Sequence, residues 1–460
     1  MTRSTKPLIP ADARTIAGLA LALKTREITS EAVTVQCLER IAGRNPSVNA
    51  FITVMADEAL TQARDADREI AAGRHRGPLH GVPISFKDLI DVRGTPTTAA
   101  SRVRQGHVAE TDAPLAARLR EAGAIFIGKT NLHEFAFGTT NEESAFGPVH
   151  HPLDPTRSPG GSSGGSAASV LDGMCFASIG TDTGGSIRIP SAACGLVGLK
   201  PALGDIPTAG IVPLSATMDH AGPLCRSVGD AEIVYDALRG AAPSPHRDAS
   251  NPRGMKIGVL RGYFTALLDP QVASAFDGLC RRLRDAGVVL EDLDVPHAGD
   301  IAAVYLHIVL VEAAALHART LESRAADYTP AVRLRLEMGR YILGEDYVRA
   351  LRGRDVLTRE VDALLANHDG LLLPSLAVPA TRLGAATVRV GTSEEPVRNI
   401  TLRLTQLFNL TGHPAITMPC GTTTEGLPIG AQLVGRGNET PALLQLARSL
   451  EPYFGPGTSR

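Results

Sequence analysis

Residues 158–166 read SPGGSSGGS, and after an apolar stretch residues 180–190 read GTDTGGSIRIP. Glycine and serine runs of this kind are often flexible linkers, but linkers are polar and have no strands beside them. These two runs instead flank apolar, strand-like segments, where glycines allow backbone amides to converge on one point. Ser186, at the end of the turn 183–185, would therefore lie beside several N–H donors. An acyl-transfer nucleophile requires that arrangement, because the tetrahedral oxyanion must be stabilised.

A lysine upstream is a candidate base. Residues 81–88 read GVPISFKD, in which Lys87 ends an apolar strand. A lysine at such a position is usually a satisfied surface residue or an ion-paired one. Beside a serine nucleophile, however, a buried lysine can have its pKa lowered enough to be neutral and to accept a proton.

Two familiar motifs also match this sequence but do not fit their surroundings. Residues 123–130, GAIFIGKT, fit the phosphate-loop pattern, yet the residues between the two glycines are apolar and predict a buried strand. A phosphate loop needs an irregular path that exposes its amides. Residues 160–164, GGSSG, fit the nucleophile elbow, but Pro155 and Pro159 rule out the central strand that precedes a true elbow. Neither motif therefore supports a functional prediction.

Residues 158–201 resemble the amidase signature, which is shared by bacterial amidases, fatty-acid amide hydrolases and the A subunit of glutamyl-tRNA amidotransferase. Further stretches that resemble this family are 81–88, 128–135 (GKTNLHEF) and 426–435 (GLPIGAQLVG). The resemblance is strong over 76–235 and 405–436 and loose over 240–400. It implies an α/β fold with a large mixed central β-sheet that is covered by helices on both faces.

The resemblance also implies a catalytic triad. In this sequence Ser186 matches the nucleophile, Ser162 a bridging serine with a cis peptide bond, and Lys87 the base, with the family's usual interval between the two serines. Ser163 remains an alternative for the bridging role. The backbone amides expected to hold the oxyanion are those of Thr183, Gly184, Gly185 and Ser186. The residues expected to contact substrate are Phe137, Gly138 and Ser163, and those expected to hold the turn in place are Asp182 and Arg188.

Hydrophobic periodicity divides the chain into two parts. Residues 1–75 predict a helical segment packed on the core, with a helix that starts near Ser30 and breaks at Pro46 and Asn49. Residues 76–460 predict the catalytic domain, in which 240–400 forms a variable substrate-pocket region. The predicted strands are 82–86, 124–127, 175–179, 255–260, 370–373 and 415–418; the predicted helices are 56–72, 113–121, 272–286 and most of 300–368; and a polar connection is predicted at 240–254.

Composition argues against several classes of protein. The chain carries 46 basic and 48 acidic side chains, a balance that does not favour nucleic-acid partners. The apolar runs predict no segment that approaches the ~20 residues of a membrane span, and the run at 16–23 predicts part of a helix and not a signal peptide. The six cysteines are scattered, which favours a reduced, cytoplasmic protein. No Cys/His cluster has metal-ligand spacing, so we expect no metal or organic cofactor.

Three functions remain open from the sequence. The favoured one is hydrolysis of the C–N bond of a small or medium amide by a monomer or homodimer, and carbamates, ureas and esters would share its mechanism. The alternative is a glutamine-hydrolysing subunit of a tRNA-dependent amidotransferase, which would need stable partner subunits. A non-catalytic binding protein on the same fold would require loss of the triad, yet Lys87, Ser162 and Ser186 are all present.

Overall fold

The computed structural model describes residues 14–241 and 249–455, so the predictions for residues 1–13 and for the part of the polar connection at 242–248 lie outside the described residues. The strands are β1 (Phe51–Val54), β2 (Pro83–Lys87), β3 (Ile125–Thr130), β4 (Ala177–Asp182), β5 (Val197–Lys200), β6 (His220–Cys225), β7 (Lys256–Leu260), β8 (Val289–Leu293), β9 (Gly370–Pro374), β10 (Thr387–Val390), β11 (Ser393–Pro396), β12 (Ala415–Thr422) and β13 (Pro428–Val434). The helices are α1 (Ile16–Lys24), α2 (Ser30–Val48), α3 (Ala56–Ala71), α4 (Pro114–Glu121), α5 (Gly164–Leu171), α6 (Arg188–Cys194), α7 (Val228–Arg239), α8 (Pro270–Asp285), α9 (Ile301–Arg324), α10 (Pro330–Gly339), α11 (Gly344–Ala366), α12 (Val397–Leu402), α13 (Leu407–Leu410) and α14 (Thr440–Phe454).

Within the described residues, eleven strands form one mixed sheet in the order β1-β3-β2-β4-β6-β5-β12-β13-β9-β7-β8. The strands β3, β2 and β4 are parallel, as are β9, β7 and β8, and antiparallel strands join these two blocks. Every residue of β2, β3, β4 and β9 is buried, as expected for strands covered by helices on both faces. The predicted α/β fold with a large mixed sheet is confirmed.

The strands and helices predicted from residue 82 onward are all present, with ends shifted by a few residues. Residues 125–130 form the buried strand β3, which rules out a phosphate loop there. The strands β5 and β6 were not predicted. Their sequences, VGLK and HAGPLC, contain glycine or proline, which lower strand propensity, and pairing with neighbouring strands overrides that local preference.

The N-terminal segment differs from its prediction in two ways. The helix α2 continues through Pro46 and ends at Asn49, whose φ of 57° is the left-handed conformation common at helix ends. A proline in the last turns removes one backbone hydrogen bond, and the rest of the helix survives that loss. Residues 51–54 then form β1, which pairs with β3. The described part of this segment is mostly helical, as predicted, but the prediction missed β1, which lies at the edge of the sheet.

One helical stretch, Ala298–Asp327, is long and apolar enough by composition to cross a membrane, so the sequence prediction that no run approaches that length is wrong. Half of its most apolar window is buried inside the protein. The stretch includes Glu312, whose carboxylate accepts a hydrogen bond from the Thr217 hydroxyl at 2.7 Å. Burial of this kind is typical of a core helix in a globular protein.

The parallel strands β2, β3 and β4 bring the predicted site residues to one edge of the sheet. Because parallel strands end on the same side, their carboxyl ends lie next to one another. Lys87 is the last residue of β2, and Asp182 is the last residue of β4. The turn that carries Ser186 follows β4 directly.

Candidate active site

A buried ion pair holds the turn that carries Ser186. The strand β4 ends at Asp182 and α6 begins at Arg188, so residues 183–187 form a short connection. The Asp182 carboxylate accepts hydrogen bonds from the Ile187 backbone N–H and the Arg188 guanidinium, each at 3.1 Å. Burial alone would raise the pKa of Asp182, but the Arg188 charge holds that pKa below its usual range. These contacts fit the predicted scaffolding role of both residues.

The backbone of this turn presents unpaired donors. In the part of the chain that the structure describes, the N–H groups of Gly184, Gly185 and Ser186 make no hydrogen bond. The Gly184 carbonyl accepts a hydrogen bond from Thr405 Oγ1 at 2.6 Å, which fixes the peptide plane. Gly185 has a φ of 141°, and a methyl group there would overlap the Thr405 hydroxyl. Glycine is therefore required by both the conformation and the close approach.

Thr183 is held at the start of the turn by a buried carboxylate. Its hydroxyl donates to Asp219 at 2.6 Å, and Asp219 also accepts hydrogen bonds from two backbone N–H groups. Burial raises the pKa of Asp219 to about 6. The negative charge of Asp219 acts in turn on Lys87 and partly opposes the effect of burial on that lysine.

Lys87 and Ser162 are in direct contact. Lys87 Nζ donates to Ser162 Oγ at 2.7 Å and to Thr181 Oγ1 at 2.9 Å. Lys87 and Ser162 are fully buried, and burial lowers the pKa of Lys87 from 10.5 to about 7. The peptide bond between Gly161 and Ser162 is cis. A lysine that is neutral in a large fraction of molecules near pH 7 can accept a proton from the serine that it contacts.

Ser186 lies on the turn beside the loop that carries Ser162. A methyl group at Gly160 would lie 3.0 Å from the Pro190 Cα, so this loop packs against the beginning of α6, a few residues after Ser186. Ser186 is 6% exposed, whereas Lys87 and Ser162 are completely inaccessible. The Ser186 hydroxyl is therefore the more accessible of the two hydroxyls in the predicted triad.

The remaining predicted residues lie beside this centre. Ser163 Oγ donates to the Thr181 carbonyl at 3.2 Å, so Ser162 and not Ser163 contacts the lysine. The Phe137 ring lies 5.3 Å from the Arg335 guanidinium, and Gly138 packs so closely against His133 that a methyl group would overlap the imidazole.

Several polar groups at the centre were not predicted from the sequence, namely His133, Thr181, Asp219, Tyr305, Arg335 and Arg398. Thr181 belongs to the GTDTGGS stretch, and the position of this threonine in that motif is a signal that could have found it. Tyr305, Arg335 and Arg398 come from the region 240–400, where the resemblance is loose and no motif marks them.

The predicted centre is separate from a large cavity among the described residues. That cavity, of about 820 Å³, lies near α2 and the end of α5, and none of the predicted site residues lines it. Across residues 14–241 and 249–455, no group of three or more His, Cys, Asp or Glu side chains is placed to hold a metal ion. The predicted triad and its turn therefore supply hydroxyl, amine and backbone amide groups.

Comparisons with known proteins agree with this geometry. A family model described as Amidase matches residues 32–444. The A subunit of the glutamyl-tRNA(Gln) amidotransferase of Anaeromyxobacter sp. (strain K) is 36% identical over 481 residues, which cover 96% of this chain and 96% of that protein. An amidase of Pseudomonas putida is 38% identical over 428 residues, which cover 90% of each chain. A crystal structure of an amidase has a TM-score of 0.91 and 36% identity, and the match covers 96% of this chain and 100% of that one.

Proposed function

This chain belongs to the amidase family and hydrolyses amide C–N bonds, and we propose that it does so through a triad of Lys87, Ser162 and Ser186. The observation that carries this proposal is the hydrogen bond of 2.7 Å between Lys87 Nζ and Ser162 Oγ, at the sheet edge where the turn of Ser186 also lies. A buried lysine without a carboxylate within ion-pair distance in the described residues is suited to proton transfer and not to structural pairing.

The triad works as a proton relay. Neutral Lys87 accepts the proton of Ser162, and Ser162 accepts the proton of Ser186 as the Ser186 Oγ attacks the amide carbonyl carbon. The carbonyl oxygen becomes an oxyanion in the tetrahedral intermediate. The amides of Thr183, Gly184, Gly185 and Ser186 are the proposed donors to this oxyanion, and the unpaired N–H groups of the last three support that role.

The relay then runs in reverse. The proton passes back through Ser162 to the leaving nitrogen, the C–N bond breaks, and an ester remains on Ser186. Water attacks this acyl-enzyme, again with Lys87 as the ultimate base, and releases the carboxylic acid. Amines leave poorly unless they are protonated, so amide substrates depend on the relay more than activated esters do.

The proposed substrate is a small or medium amide, with carbamates, ureas and esters open to the same chemistry. Glutamine hydrolysis within a tRNA-dependent amidotransferase is a second candidate, because the match to the A subunit of the glutamyl-tRNA(Gln) amidotransferase of Anaeromyxobacter sp. (strain K) covers 96% of the chain. Phe137, Gly138 and Ser163 are the proposed neighbours of the substrate. We also propose that the enzyme needs no cofactor and no nucleic-acid partner and acts as a cytoplasmic monomer or homodimer; its six buried, unpaired cysteines suit a reducing compartment.

A substrate panel tests this proposal. The purified chain is assayed with amides, carbamates, aryl esters and glutamine, beside the Ser186→Ala and Ser169→Ala variants. Ser169 is a buried serine whose hydroxyl donates to the Ser166 carbonyl, and Lys87 bonds to Ser162 and Thr181 instead, so Ser169 serves as the matched control. We expect the Ser186→Ala variant alone to lose turnover of every substrate. Amide hydrolysis that persists in this variant would disprove the proposed mechanism.

A further inference from the structure

The loop 214–219 positions the start of the turn 183–186, which carries the proposed oxyanion donors. The loop is compact, because the Ser215 carbonyl accepts the Asp219 N–H at 3.0 Å. One oxygen of the Asp219 carboxylate accepts the Ser215 N–H at 3.1 Å, and the other accepts the Thr183 hydroxyl at 2.6 Å. The position of Thr183 therefore depends on how firmly this loop is held.

A second carboxylate, that of Glu312 on α9, holds the loop against the helices. Its Oε2 accepts the Ser215 hydroxyl at 2.5 Å and the Thr217 N–H at 3.2 Å. Its Oε1 accepts the Thr217 hydroxyl at 2.7 Å and the hydroxyl of Tyr347, on α11, at 3.0 Å. Three hydrogen bonds from the loop and one from a neighbouring helix thus converge on one side chain.

Ser215 connects the two carboxylates directly. Its hydroxyl donates to Glu312, its backbone N–H donates to Asp219, and its side chain is completely buried. A continuous series of hydrogen bonds therefore joins Glu312 to Thr183. The next residue after Thr183 is Gly184, which carries the first of the unpaired N–H groups in the turn. A shift of the loop would consequently move the proposed oxyanion donors.

The partners of Glu312 suit a carboxylate and not an amide. The Thr217 N–H faces Oε2 and can only donate. The Thr217 hydroxyl faces Oε1 and already accepts a hydrogen bond from the Arg354 guanidinium at 3.1 Å, so its own proton is directed toward Glu312. The NH2 group of a glutamine would therefore face a donor in either orientation. Replacement by glutamine keeps the shape of the side chain and breaks at least one contact with the loop.

We propose that Glu312 is a positioning residue for amide hydrolysis, which acts through the loop 214–219 on the turn that binds the oxyanion. This inference rests on the proposed function and adds a residue from the region 240–400, where the resemblance to the amidase signature is loose. In the part of the chain that the structure describes, the hydrogen bonds of Glu312 reach no member of the triad. Its effect therefore belongs to stabilisation of the transition state, and not to proton transfer or to binding of the substrate.

The substitution Glu312→Gln tests this role when kcat and KM are measured separately. Active sites are counted by titration with a serine-directed fluorophosphonate, so that loss of folded protein does not lower the measured kcat. We expect kcat per active site to fall about 10- to 100-fold, somewhat less than the loss of a whole oxyanion donor, with KM nearly unchanged. Glu322→Gln is the matched control, because Glu322 lies on the same helix with an exposed side chain, and it should keep the wild-type kcat.

A comparison of substrates separates this inference from the proposed relay. Amides and activated aryl esters both pass through an oxyanion, so Glu312→Gln should lower kcat for both by a similar factor. Lys87→Met should instead affect the amide much more than the ester. A wild-type kcat in Glu312→Gln, or a loss confined to the amide, would overturn the inference and leave the relay standing. Amide hydrolysis that persists in Ser186→Ala would defeat the mechanism and the inference with it.

A double-mutant cycle tests whether Glu312 acts through Asp219. If it does, Asp219→Asn should lower kcat less in the Glu312→Gln background than in the wild type, by about fivefold or more. Losses that simply multiply would overturn the inference. Thr217→Val removes one contact with Glu312 and preserves the size of the side chain, so it provides a second test if Glu312→Gln folds poorly. It should lower kcat per active site by a smaller factor, and a wild-type kcat in this variant would also count against the proposed path.

Discussion

The protonation state of Lys87 decides whether the proposed relay can operate. Burial lowers its pKa to about 7, so about half of the molecules hold a neutral lysine at pH 7, whereas an ordinary lysine would be neutral in about one molecule in 3,000. We therefore expect kcat/KM for an amide to rise about tenfold for each pH unit below pH 7 and to level off above pH 7.

The substitution Lys87→Met tests the assignment of this pH dependence, because methionine fills similar space and cannot titrate. We expect kcat/KM for an amide to fall by about 10⁴, the range seen when a triad member is removed. An activated aryl ester should lose much less, because its leaving group departs without a proton. Lys256→Met is the matched control, since Lys256 is an exposed lysine at the start of β7. A variant that keeps most of its amide activity would refute the role of Lys87.

The same lysine should make stability depend on pH. Its folded pKa lies below its unfolded value, so between about pH 7 and 10.5 the unfolded state binds more protons, and the free energy of unfolding falls as pH decreases. The loss at pH 7 is about 4 kcal/mol relative to a group that does not titrate. The Lys87→Met variant has no titrating group here and so does not lose this free energy. In urea denaturation, its free energy of unfolding relative to wild type should therefore increase from pH 10 to pH 7. A difference independent of pH would contradict the buried, neutral lysine.

Three further predictions concern the turn and the absence of a cofactor. Gly185→Ala should lower kcat/KM by about 10² or more, because the methyl group overlaps the Thr405 hydroxyl and displaces the donor amides; Gly173→Ala, at a positive φ with open space around it, is the control. Asp182→Asn should destabilise the fold by about 3–5 kcal/mol in equilibrium denaturation, since it leaves Arg188 buried without its counter-charge, and a loss below about 1 kcal/mol would contradict that pairing. Prolonged chelation and dialysis should leave the amide hydrolysis rate unchanged, and a loss that one added metal restores would overturn the cofactor-free mechanism.

The elements of the sheet could be predicted where local sequence and tertiary environment agree. The strand β2 is apolar at most positions before Lys87, and buried parallel strands have that composition. The strand β1 could not be predicted, because four residues between two helices carry little periodicity and their conformation depends on the distant edge of β3. Pro46 was misleading for a related reason: the packing of α2 outweighs the loss of one backbone hydrogen bond.

The residues of the site also differ in whether the sequence alone could predict them. The turn at 183–186 was predicted from closely spaced glycines and polar residues inside an apolar region, whereas the contact of Lys87 with Ser162 was expected from the resemblance to the amidase signature. Arg335 and Arg398 could not be predicted, because they lie on helices about 60 residues apart in sequence and resemble the many surface arginines of this region.

The central claim is that Ser186 is the residue that becomes acylated. The most direct test is to treat the enzyme with a serine-directed fluorophosphonate and to locate the adduct by peptide mass mapping. Our account predicts one adduct, on Ser186, which disappears in Ser186→Ala. An adduct on Ser162 or Ser163 with Ser186 unmodified would contradict it.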